Sequence, residues 1–85
     1  VTVALMWEAR AAEGRGADLL AWVREQALAA EPLRRETFRA PRDRVLVVTW
    51  WDAPYDAPLP ELPEPDPELV TRAVHRWRFE AVAED

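Results

Sequence analysis

Apolar and polar positions alternate along the opening of the chain. Val1, Val3, Leu5, Trp7 and Ala9 fall on one side of an extended backbone, which predicts a strand over residues 1–11. Ala4 and Met6 make the second side partly apolar before Glu8 and Arg10 turn it polar. Gly14 and Gly16, the two glycines of the chain, mark a turn. The period then changes. At about 100° per residue, Leu19, Leu20, Val23, Ala27 and Ala30 form one stripe, with Trp22 and Gln26 on its edge. This predicts a helix with Asp18 near its positive end and Pro32 as its terminator, since proline lacks an N–H and clashes with the preceding turn.

Residues 34–40 alternate again and predict a second strand. Pro41-Arg42-Asp43 predicts a short hairpin connection, and residues 44–51 a third strand that is apolar on both faces and therefore central. Six prolines between residues 52 and 67 predict a stiff, extended, acidic loop without regular ladder bonding. Asp66-Pro67 reads as the start of a second helix, with Leu69, Val70, Ala73, Val74 and Trp77 on its buried face. Residues 79–83 predict a closing strand. The resulting order, β-α-β-β-α-β, predicts a single α+β domain over residues 1–85 of ferredoxin-like type. Its antiparallel four-stranded sheet would run 4-1-3-2, with both helices on one face. The two strands that are apolar on both sides would then be the central ones, and the Arg- and Glu-bearing strands the edges.

Composition narrows the function classes. The chain has 85 residues, no Cys and a net charge of -5. No disulfide or thiolate chemistry is available. An acidic total argues against sequence-independent nucleic-acid binding. No apolar run reaches the roughly 18–20 residues of a membrane span, so no membrane partner is expected, and a cytoplasmic location is the default expectation. All eleven cationic side chains are Arg, and Ser and Asn are absent, which removes a Ser nucleophile and an Asn oxyanion donor.

The alternating first strand with Trp7, the Gly14 turn, Leu19 five residues on and then Trp22-Val23 resemble the opening of the antibiotic-biosynthesis-monooxygenase-like group of the dimeric α+β barrel superfamily. Glu13 stands where that group usually has proline before the glycine. The resemblance implies a homodimer in which two sheets pack face to face. It also implies an activity range from cofactor-independent oxygenation of aromatic substrates, through haem degradation, to no known catalysis. The absence of Asn excludes a complete Asn–Trp–His haem-degrading site, and no cofactor is expected.

Five Trp in so short a chain predict either a core of few, large pieces or an aromatic-lined pocket. Trp7, Trp22, Trp51, Tyr55 and Arg35 are the candidate ligand-binding residues: rings to enclose an aromatic small molecule, with a phenol or guanidinium to stabilise its anion. The other reading is a non-catalytic small-ligand-binding or accessory protein, and a filled core is the feature that favours it. His75, the sole histidine, falls opposite the apolar stripe of the expected second helix. It is expected to be exposed and to ligate neither metal nor haem. No metal spacing occurs. A solvated surface is the expectation both for the arginines around the hairpin and for the carboxylates of the proline-rich loop.

Overall fold

In the computed structural model, which describes residues 1–83, the elements follow the order strand, helix, strand, strand, short 3-10 turn, strand. They are β1 (Thr2–Arg10), α1 (Gly16–Glu25), β2 (Arg34–Ala40), β3 (Arg44–Asp52), a 3-10 turn (Pro67–Leu69) and β4 (His75–Glu80). All four strands form one antiparallel sheet ordered β2-β3-β1-β4, which reads 4-1-3-2 from the other edge. β1 and β3 hold the centre and pair from Thr2↔Asp52 to Arg10↔Arg44.

The sheet is covered on one face only. Val3, Leu5, Trp7 and Ala9 lie on the covered side with Val45, Val47, Thr49 and Trp51 opposite them in register, and all eight are buried. α1 supplies Leu19 and Val23 to this core. Leu62 of the proline-rich segment and Leu69 and Val74 beyond it complete the larger cluster. A smaller cluster of Val3, Leu5 and Trp51 is closed by Leu28 and Leu59.

There is one α-helix among the described residues, not two. Residues 66–69 do begin as expected: Asp66 Oδ1 accepts from the Glu68 N–H at 2.9 Å, with Pro67 in the first position. The turn then stops. The Leu69 carbonyl accepts from the Ala12 N–H at 2.9 Å, Val70 bridges Ala11, and the Thr71 N–H donates to the Arg10 carbonyl at 3.0 Å. The chain is thus drawn alongside the end of β1, and β4 follows at His75, four residues before the expected closing strand. The reason is legible in the side chains. His75, Trp77 and Phe79 alternate with Arg76, Arg78 and Glu80, a period of two that the apolar spacing from Leu69 to Trp77 obscures. Trp77 is consequently 45% exposed rather than part of a helical core stripe.

α1 is also shorter than its apolar stripe suggests, ending at Glu25 instead of running toward Pro32. Tertiary contacts close it early. The Arg35 guanidinium donates to the Gln26 carbonyl at 2.7 Å and the Val23 carbonyl at 2.9 Å, satisfying acceptors that another helical turn would have used. Ala27 and Ala30 lie outside the helix, and Leu28 turns back onto both clusters. Residues 53–66 contain neither helix nor strand, in keeping with their prolines. No helix among the described residues is long and apolar enough to cross a membrane.

Candidate functional site

The five residues expected to line an aromatic pocket are distributed over the covered side of the sheet and its rim. Trp7 projects from β1 into the core, 4% exposed, and stacks on Trp22 of α1 with ring centroids 6.2 Å apart and planes inclined by 25°. Its indole Nε1 is the one buried side-chain donor without a hydrogen-bond partner among the described residues. Trp51 belongs to the other cluster, and its Nε1 donates to Thr49 Oγ1 at 2.9 Å. Tyr55 is exposed, its hydroxyl donating to the Arg78 carbonyl at 3.3 Å. Arg35 is occupied by the end of α1.

These side chains do not enclose a common cavity. The space beside Trp7, bounded by Thr49, Leu28, Leu62 and Arg76, amounts to about 10 Å³. That is the room of roughly one water molecule, which needs about 10–15 Å³, and far below the roughly 300 Å³ at which small-molecule pockets begin. The core is filled. Carbonyls of the proline-rich segment that close it are held by arginines of β4. Arg76 donates to the Leu62 carbonyl at 2.7 Å. Arg78 donates to the carbonyls of Tyr55 and Ala57, each at 2.7 Å. Prolines supply carbonyls without N–H partners, and arginine, with five donors and no acceptor, matches that deficit.

His75 is exposed, as expected, but from β4 rather than from a helix. Its Nδ1 lies 3.7 Å from Glu8 Oε1, and its ring meets Trp77 edge-on at 5.6 Å. Glu8 also accepts from Arg72 at 2.6 Å. Among the described residues no group of three or more His, Cys, Asp or Glu could hold a metal ion.

The largest unsatisfied feature is the other face of the sheet. Ala4 and Met6 of β1, Leu46, Val48 and Trp50 of β3, Phe38 of β2, and Trp77 and Phe79 of β4 all point to the side that α1 does not cover. Phe38, Trp77 and Phe79 are 42%, 45% and 53% exposed. Some charges on this face are paired within the chain: Arg34 with Glu36 at 2.9 Å, and Glu8 with Arg72. Arg10 and Arg44 stand directly opposite each other at one end, and Asp52 marks the other. The alternation in β1 and β3 exposes this face in the sequence. Phe38 is equally legible, whereas Trp77 is hidden by the helical reading of residues 69–77, and Phe79 falls in the expected closing strand. No family model, curated protein or solved structure matches the chain.

Proposed function

We propose that the chain is the subunit of a homodimeric α+β barrel, of the ferredoxin-like kind its sequence resembles, and that it acts as a binding or accessory protein rather than an oxygenase. The uncovered sheet face carries this reading. Four strands about 4.8 Å apart and eight residues at about 3.4 Å each give roughly 500 Å² in projection. The apolar part of this face lies among Glu8, Arg10, Arg34, Glu36 and Arg44, and exposed apolar patches of a few hundred Å² are often functional. Leaving a large apolar side chain in water forgoes about 1.5–3 kcal/mol, against a total stability of about 5–15 kcal/mol for a domain. A two-fold dimer buries the same patch on both subunits. A second copy also suits the charges. The Arg34–Glu36 and Glu8–Arg72 pairs are satisfied within the chain, which leaves Arg10 and Arg44 as the charges a partner must meet. A two-fold axis running across the strands lays the Arg10–Arg44 end of one sheet over the Asp52 end of the other.

The filled core supports the non-catalytic half of the reading, because nothing beside the tryptophans holds an aromatic substrate. Sedimentation equilibrium at micromolar concentration tests the assembly. The native chain is expected at twice its monomer mass, and Trp77→Glu with Phe79→Glu at the monomer mass with an unchanged far-ultraviolet spectrum. A native monomer with a cooperative heat transition overturns the proposal. A second reading, an oxygenase-like enzyme, is favoured by the unpartnered Trp7 Nε1, which could donate to a phenolate if the core opened. Oxygen uptake with an electron-rich hydroxyanthrone, abolished by Trp7→Phe, would support that alternative over the first.

A further inference from the structure

On the covered side of the sheet, away from the proposed dimer face, α1 stops short of the β2 flank. Between them lies a cleft of about 320 Å³, within the volume range of small-molecule sites. Its apolar lining comes from Ala17, Leu20 and Ala21 on α1 and from Val45 on β3. Arg24 of α1 and Arg39 of β2 stand over it from opposite sides. Arg39 pairs across the strands with Val45, so one guanidinium rises beside the apolar floor.

We propose that this cleft binds a small organic carboxylate with an apolar body, its acid group held between Arg24 and Arg39. Four observations support the assignment. First, neither guanidinium forms an ion pair within 4.0 Å among the described residues, in a chain whose carboxylates outnumber its cations. Two free guanidinium groups facing one concavity focus positive potential there and offer planar, paired donors that match a carboxylate. Second, the cleft exists because its α1 wall is built from small residues. Ala17 and Ala21 lie one helical turn apart on the same side, and longer side chains at these positions would occupy the space.

Third, the charges at the cleft favour an anion. Asp43 lines the end next to Gly16, while the Arg44 side chain belongs to the open sheet face and donates to the Pro41 carbonyl at 3.3 Å. Two guanidinium groups, those of Arg24 and Arg39, therefore face one carboxylate. Fourth, a second concavity along β2 shares Leu20, Arg24 and Arg39 with the cleft, so a ligand has room to extend past the two guanidinium groups. A neutral ligand would leave the two guanidinium groups without a partner. A bare inorganic anion would leave the apolar floor unused.

The site is independent of dimerisation, so the two proposals fail separately. The test is an amide-resolved NMR titration of the full chain with sodium octanoate, with 1-octanol as the uncharged counterpart. Octanoate is expected to shift the amides of Gly16, Ala17, Ala21 and Ala40 in a saturable manner, and octanol to leave them in place. Arg24→Gln and Arg39→Gln are each expected to weaken binding about tenfold, the loss of one charge-assisted contact. Ala21→Leu, a good helix former at an exposed position, is expected to abolish binding by filling the cleft. The Trp77→Glu, Phe79→Glu chain is expected to bind octanoate as the native chain does. Shifts confined to Ala4, Met6 and Trp50 on the open sheet face, equal binding of octanol, or unchanged affinity in both arginine variants would overturn the proposal.

Discussion

Two buried tryptophans on the same side of the sheet differ in one atom's surroundings. Trp51 Nε1 bonds to Thr49 Oγ1, whereas Trp7 Nε1 has no partner. Replacing either by Phe removes similar apolar contact, but only Trp51→Phe strands the hydroxyl of a threonine that is 5% exposed. Losing one partner of a buried hydrogen bond costs about 1–3 kcal/mol, while removing an unpaired donor recovers a desolvation penalty. Urea denaturation is expected to show Trp51→Phe as the more destabilising by about 1 kcal/mol or more. Equal losses would mean that Trp7 Nε1 is satisfied in solution.

Gly16 is the other position where one residue is constrained by a neighbour. A Cβ there would lie 2.5 Å from Asp43 Oδ1. Asp43 itself sits at φ 57° and Arg42 at φ 68°, left-handed conformations without glycine. Gly16→Ala is expected to cost about 1 kcal/mol by displacing the Asp43 side chain, even though alanine favours the helix. In an Asp43→Gly background the same change should be neutral or stabilising, since the obstructing carboxylate is gone and the turn strain relieved. A double-mutant cycle by denaturant unfolding measures that coupling, and additive effects would count against it.

At the scale of elements, arginines tether segments that cannot bond themselves. Arg35 closes α1, and Arg78 grips two carbonyls of the proline-rich segment. Arg78→Ala is expected to leave the sheet intact but loosen residues 53–60. Limited proteolysis should cut there several-fold faster, and global stability should fall by only about 1–3 kcal/mol. Leu62→Ala should behave differently. Leu62 is the buried anchor of the same segment, 4% exposed, so its loss empties core volume and costs about 2–5 kcal/mol. Cleavage and stability moving together in both variants would show that the segment and core unfold as one unit.

The elements also show where the sequence could be read and where it could not. β1 and β2 were legible from their alternation, β3 from its short two-sided apolar run, and turn residues bound all three. The second helix was misread because Leu69, Val70, Ala73, Val74 and Trp77 satisfy a helical spacing, while the alternation from His75 to Glu80 is carried by arginines and one histidine. Only the pairing with β1, Met6 to Trp77 and Ala4 to Phe79, decides between the two periods. Of the candidate site residues, Trp7 and Trp22 do meet. Arg35 is committed to the helix end, a contact between residues nine and twelve apart that no local pattern announces.

For the whole molecule, the sequence by itself determined the antiparallel character of the sheet and its two apolar central strands. It also determined the acidic, ladder-free stretch between β3 and the 3-10 turn. These follow from local rules: side-chain alternation, strand apolarity and proline chemistry. It left open which face of β1 and β3 meets the helix, since both are apolar. The tertiary structure decided it. α1 and the proline-rich segment cover the side of Val3, Leu5, Trp7, Val47 and Trp51, and the Met6 and Trp50 side stays open. Tertiary structure also decided that, among the described residues, one α-helix and not two covers the sheet. The Leu69 and Arg10 carbonyls find partners across the chain sooner than a second helix could form. Both decisions depend on contacts between residues far apart in sequence, where the balance of pairing and packing overrides spacing that is locally ambiguous.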